Sequence, residues 1–232
     1  MKRIYLLLSI FASCILLTSC NEAASIGIIG GADGPTSIFV SEQKDNIKRM
    51  YDVDRYFREN YIDERKLPIL DIHIENPFVS EDRTLILNDS IENNIEFMIY
   101  EYYQNQTSGA YQKIKDVIAG DSLTIATENE EKNFKDGVYF SKIILDEIEL
   151  VDKDDLDEIT ESNKQPIIEM LNDLEMEEFA IVEVEKTVKL NEKFLSMAPQ
   201  VGDGELTRYY LLGKKDNAYK IVEVYWEGFM SD

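Results

Sequence analysis

The sequence predicts an α+β fold: a helical hairpin packed on a curved antiparallel sheet, behind a signal peptide and a flexible or helical N-terminal arm. Three observations predict it. Between residues 88 and 119 apolar side chains recur every three or four positions, interrupted once at Thr107-Ser108-Gly109. Between residues 138 and 226 the pattern changes to alternation, with turn-forming clusters between the runs. Helical patterns come first and strand patterns last, which segregates the two kinds of element instead of interleaving them.

Composition bounds the rest. The 232 residues carry 24 basic and 46 acidic side chains, a formal charge of −22, and 44% are apolar, enough for a packed core. So acidic a chain repels phosphates and anionic headgroups, which excludes nucleic acid as a partner and argues against electrostatic membrane binding. One histidine and two cysteines leave little for zinc sites, disulfides or histidine catalysis, and no cofactor is expected.

The N-terminus is read first. Lys2 and Arg3 precede an uncharged apolar run, Ile4 to Leu17. A spanning helix needs about twenty apolar residues, so this run fits the h-region of a secretory signal instead. It ends in Leu17-Thr18-Ser19-Cys20, which resembles a bacterial lipobox. The resemblance implies cleavage before Cys20, diacylglyceryl modification of its thiol, and a partner that is the lipid bilayer itself, at the extracytoplasmic face of the cell membrane. Each buried acyl CH₂ contributes about 0.8 kcal/mol, so two or three chains anchor firmly. Cys14 leaves with the signal and Cys20 is blocked, so the mature chain has no free thiol. The loss of Lys2 and Arg3 takes the side-chain balance from −22 to −24. The expected organisation is a signal peptide over 1–19, a lipid-anchored tether over 20–66 and a globular domain over 67–232.

Within the tether, residues 25–40 read SIGIIGGADGPTSIFV. This run resembles the GGADGPT signature of the beta subunit of sodium-ion-translocating decarboxylases, and the resemblance implies a sodium-carrying role for Asp33. The remaining chain has no further apolar stretch near twenty residues, whereas an ion pump needs several helices around its path. One carboxylate cannot desolvate sodium without further oxygen ligands. The expectation is therefore a tether or interfacial wedge, with sodium binding at Asp33 as the alternative. Residues 41–66 follow as an amphipathic helix with Ile47, Met50, Tyr51, Tyr56, Phe57 and Tyr61 on one stripe, for packing or for a partner.

Leu67 to Glu75 alternates, with Leu70, Ile72 and Ile74 against Asp71, His73 and Glu75, and predicts a strand with one wet face. Asp89 with Glu92 three residues on predicts a capping box, and Ile91, Ile95, Met98, Ile99 and Tyr102 the first helix. Ala110 to Ala119 is the second. Strands are expected over 138–151, 179–190, 206–212 and 219–226, with an acidic loop at 152–162, a short helix at 165–174 and a turn over Gly213 to Asn217. The order of elements, and the closing run from Arg208 to Trp226, resemble the NTF2-like (cystatin-like) fold over about residues 85–232.

That resemblance implies a conical pocket, with Tyr102, Tyr139, Tyr210 and Trp226 as candidate lining aromatics. Asp152, Asp154, Asp155 and Asp157 form a candidate weak cation cluster. They fail the calcium-loop template, since Leu156 replaces an oxygen ligand and Asp157 stands where glycine is required. No catalytic residue and no resident metal is assigned. The expected function is non-catalytic binding of a protein, an envelope polymer or a small ligand. Alternatives are a sodium-decarboxylase accessory and an envelope enzyme using the cone. Apolar residues on both faces of the last strands, Tyr209 and Leu211 against Tyr210 and Leu212, allow a homodimer through the sheet.

Overall fold

The structure, a computed structural model, describes residues 53–199, 202–226 and 228–230. The leader, Cys20, the GGADGPT segment with Asp33, and Ile47, Met50 and Tyr51 lie outside these residues. What is described is an α+β body with one six-stranded mixed sheet, its strands in sequence order.

The sheet runs β1 (Phe78–Ser80), β2 (Arg83–Leu87), β3 (Phe140–Leu150), β4 (Glu178–Leu190), β5 (Gly204–Lys215) and β6 (Ala218–Tyr225). All neighbours are antiparallel except β2 and β3, which are parallel in the register Leu85–Ile143 and Leu87–Leu145. The expected wholly antiparallel sheet is corrected on this point. The chain leaves β2 through three helices and re-enters beside it, the kind of long crossover that a parallel pair requires. β3, β4, β5 and β6 then form a meander.

The crossover comprises α2 (Asn94–Ser108), α3 (Tyr111–Val117) and α4 (Asp121–Lys135), and α1 occupies residues 53–60. The capping box is four residues later than expected. Asn93 Oδ1 accepts from the backbone of Ile95 and Glu96, and Glu96 returns a carboxylate oxygen to Glu92 N at 2.7 Å. Asp89 is engaged elsewhere, accepting from Ser90 N and Ile148 N. The hairpin of helices is a triplet, because residues 121–135 form a third helix, whose buried side chains are Leu123 and Thr127.

Strand alternation divides the sheet into two covered faces. Val182, Val184, Tyr210 and Leu212 meet α2 to α4, with Tyr103 edge-on to Tyr210. Phe179 and Ile181 point the other way, where Phe57 and Tyr61 of the α1 segment set their rings edge-on to Phe179 at 5.2 and 5.1 Å. The described part of the tyrosine-bearing stripe, Tyr56, Phe57 and Tyr61, thus packs against the sheet. Helix α5 (Glu161–Asp173) adds Ile167 and Leu171 to the core, and its cap Thr160 is held by Phe229 O. It starts four residues before the expected position, so Pro166 lies inside it rather than in its first turn. The last helix, α6 (Glu192–Ser196), is one short turn. Tyr209, Tyr210, Leu211 and Leu212 are all buried within the chain, so the observation behind the sheet dimer is met intramolecularly.

Residues 67–75 form no strand. Ile69 makes a single bridge to Asn93 and is 93% exposed. The alternation there has no sheet neighbour to pair with. The acidic loop contains a 3-10 helix, Lys153–Glu158. The last turn is tighter than expected: β5 continues to Lys215, which pairs with Ala218. Asp216 and Asn217 both take left-handed conformations, φ 53° and 63°, as a two-residue hairpin requires.

Candidate functional site

The described residues carry two polar clusters inside the body, on the sheet face that α2 to α4 cover. The first centres on Tyr103 of α2. Its hydroxyl is hydrogen-bonded to that of Tyr210 on β5 and accepts from Lys186 Nζ of β4 at 2.8 Å. Tyr102 packs edge-on to both rings. Burial, with Arg208 nearby as a second cation, pulls the Lys186 ammonium down to about 7, opposed in part by Glu130. Burial raises the phenols of Tyr102 and Tyr103. A lysine emerges here because β4 places residue 186 on the same face as Val184 and Val188.

The second cluster lines a cavity of about 120 Å³ bounded by the ends of α2 and α4 and the starts of β2 and β3. Arg83, the first residue of β2, is 4% exposed. Its guanidinium donates through Nε to Thr107 O at 2.7 Å and through Nη1 to Glu81 at 3.0 Å. It also faces the rings of Phe134 and Tyr139 at 4.6 and 5.2 Å. Glu130 of α4 receives Gln106 Nε2 at 3.2 Å, and burial raises its carboxyl above the usual range. Two buried polar atoms in this lining, the Gln106 Oε1 acceptor and the Thr107 hydroxyl, have no hydrogen-bond partner. Tyr111, Phe140 and Phe194 supply further ring surface.

The sequence-predicted residues are only partly gathered. Tyr102 and Tyr210 lie in the first cluster and Tyr139 lines the cavity, its hydroxyl donating to Asp82 at 2.6 Å. Trp226 is 58% exposed and lies under the Arg208 guanidinium at 3.6 Å, away from the cavity lining. Asp154, Asp155 and Asp157 are exposed on the 3-10 helix and Asp152 is exposed just before it, and Asp157 pairs with Arg58 at 3.5 Å. No group of three His, Cys, Asp or Glu among the described residues could hold a metal ion. His73 is exposed, as are Asp71 and Glu75.

Arg83, Gln106, Thr107 and Glu130 were not singled out from sequence. A signal for one of them existed. Leu123, Thr127, Glu130 and Phe134 fall on one helical stripe, and a carboxylate between a leucine and a phenylalanine on such a stripe marks a polar interior.

Comparison with known proteins gives two likenesses. The family model of the Na⁺-transporting oxaloacetate decarboxylase beta subunit matches residues 3–48, a part of the chain that precedes the described body. No curated protein matches the sequence. The described fold is distantly similar to the crystal structure of the intermembrane space region of the chloroplast protein ARC6. The identity is 13% and the TM-score 0.38, with 60% of this chain and 95% of that one covered.

Proposed function

We propose that the chain is a lipoprotein, anchored by acylated Cys20 at the extracytoplasmic face of a membrane, whose α+β body binds a ligand or partner without catalysis. The observation that carries this reading is Leu17-Thr18-Ser19-Cys20 at the end of an uncharged apolar run behind Lys2 and Arg3. The body's interior supports binding of a small ligand: its cavity, about 120 Å³, shares the aromatic lining and few inward polar groups of ligand sites but is smaller than most. As a finer assignment we read residues 85–232 as NTF2-like. Three crossover helices on one face of a four-stranded meander support this.

Metabolic labelling with an alkyne fatty acid in a bacterial host tests the anchor. The wild-type chain takes up label and partitions into detergent, and Cys20→Ala loses both. An unlabelled chain that retains residues 1–19 by mass spectrometry sinks the proposal.

The family match over residues 3–48 favours a second reading, an accessory of a sodium-translocating decarboxylase using Asp33. It predicts co-purification with such a complex and a melting temperature that rises with sodium but not potassium. Asp33→Asn abolishes the sodium effect. Neither behaviour, under conditions where the complex survives, removes this reading.

A further inference from the structure

We propose that the cavity between α2, α4 and the β2–β3 pair is a binding site for a small organic cation, an ammonium or amidinium group on an apolar body no larger than one ring. The inference rests on the body being a binding domain and is independent of the lipid anchor.

Charge selects the ligand's sign. The one cation of the lining, Arg83, is already satisfied by Glu81 and by Thr107 O. Glu130 is not balanced in this way. Its hydrogen bond comes from the neutral amide of Gln106, and the cation that acts on it, Lys186, makes no ion pair with it and has its own ammonium held down to about 7 in the Tyr103 cluster. A partly buried carboxylate beside a neutral donor attracts a cation and repels an anion.

Hydrogen-bond accounting selects the ligand's polar end. Gln106 Oε1 and Thr107 Oγ1 are buried without partners, and a buried polar atom left unpaired is unfavourable. Thr107 is 3% exposed, so its hydroxyl can be met only from inside. Gln106 Oε1 and the Glu130 carboxylate accept only, and the Thr107 hydroxyl can accept as well, so a group with two or three N–H donors meets all three. An alcohol brings one and a carboxylate brings none.

Shape selects the body. The rings of Tyr111, Phe134, Phe140 and Phe194 line the space, and aromatic walls with a carboxylate favour organic over hydrated inorganic cations. A volume of about 120 Å³ is somewhat below the 150 Å³ of an apolar cavity known to accept benzene. The cavity is not closed, so a short alkyl chain fits inside, a single ring fits with its far edge at the mouth, and a peptide is excluded.

Calorimetric titration of the full chain in detergent tests the site with three probes that share a body: benzylammonium, benzyl alcohol and benzoate. Benzylammonium is expected to bind at one site per chain and at least about tenfold more tightly than benzyl alcohol, with no benzoate binding. Glu130→Gln keeps the shape and weakens benzylammonium about tenfold or more. Thr107→Val removes an unpaired hydroxyl, so it leaves the fold as stable or more so while still weakening binding. No binding at millimolar benzylammonium, equal binding of benzoate, or indifference to both substitutions would overturn the proposal. So would a crystal structure with benzylammonium that shows only water at Gln106 and Thr107. Loss of Cys20 labelling with intact benzylammonium binding defeats the anchor alone. The converse result defeats the cavity ligand alone.

Discussion

The ring of Phe134 fills the space that a side chain on Gly109 would need. A Cβ at Gly109 would lie 2.5 Å from Phe134 Cε1 and Cζ, closer than carbon atoms approach. Gly109 is also the C-cap of α2, with φ 76°, the left-handed conformation that ends a helix and favours glycine. One residue therefore serves the turn into α3 and the seat of a cavity-lining ring. Gly109→Ala is expected to lower stability by about 2–4 kcal/mol, from left-handed strain of about 1–2 plus overpacking. Urea denaturation measures it. Adding Phe134→Leu should recover the overpacking share only. Full recovery, or no loss in the single variant, would show that the ring does not hold this position.

Lys186 makes stability depend on alkaline pH. Its ammonium is held down to about 7 by burial and by Arg208, while in the unfolded chain it stays protonated to its usual 10.5. Between those values the unfolded chain binds more protons, so stability rises with pH, by up to about 1.4 kcal/mol per unit from this group. Below pH 7 the folded protein bears the full cost of an enclosed charge. Lys186→Met keeps the stem and removes the charge. It should be more stable than wild type at pH 6, with the advantage shrinking steadily towards pH 10. Melting curves of both proteins across that range decide it; a constant difference would mean that the ammonium is solvated.

Sequence legibility followed the asymmetry of each element's surroundings. β4 was legible because Val182, Val184, Val188 and Leu190 face the core while Glu185 and Lys189 face out. α4 was missed because its inward stripe includes Thr127 and Glu130, which serve a polar interior and erase the hydrophobic period. Residues 67–75 show the opposite error, since alternation records one-sided burial only if a neighbouring strand exists, and Ile69 and Ile72 are exposed. The capping box expected at Asp89 forms elsewhere: Ser90 N and Ile148 N take the Asp89 carboxylate, and the same spacing at Asn93 with Glu96 caps the helix. The cavity was least legible: Arg83, Gln106, Thr107 and Glu130 come from three elements and meet only through the parallel β2–β3 crossover.

Two like-charged pairs stand directly opposite each other across β3 and β4, Glu147 with Glu185 and Glu149 with Glu183. Glu183 is relieved by the Tyr209 hydroxyl at 3.0 Å. The carboxyl of Glu147 is raised by burial and then by Glu149 and Glu185. A raised acid is fully tolerated when protonated and costs stability once it ionises. Glu185→Gln should therefore stabilise the protein at pH 7 in low salt by about 0.2–1 kcal/mol, the range for cross-strand charge pairs. The gain should disappear as pH falls below the Glu147 titration, and in molar salt. A gain that persists in both conditions would locate its cause in packing rather than repulsion.

Tyr61 joins the segment after α1 to the sheet interior. Its hydroxyl donates to Val151 O at 2.5 Å and accepts from Ile181 N at 3.3 Å, while Ile62 N bonds Phe179 O at 2.9 Å. The ring itself is 5% exposed and edge-on to Phe179. Tyr61→Phe keeps that ring contact but leaves a buried carbonyl and a buried amide short of a partner, which should cost about 1–3 kcal/mol. Because Val151 N also bonds Ile181 O, the loss falls on a junction of β3 and β4 rather than on a frayed end. Denaturation midpoints measure the cost, and hydrogen exchange locates it: the amides of Val151 and Ile181 should both lose protection. If stability and those two amides are unchanged, the Tyr61 hydroxyl does not hold the β3–β4 junction, and the segment is fixed by its ring contacts with Phe179 and by the Ile62 N bond to Phe179 O.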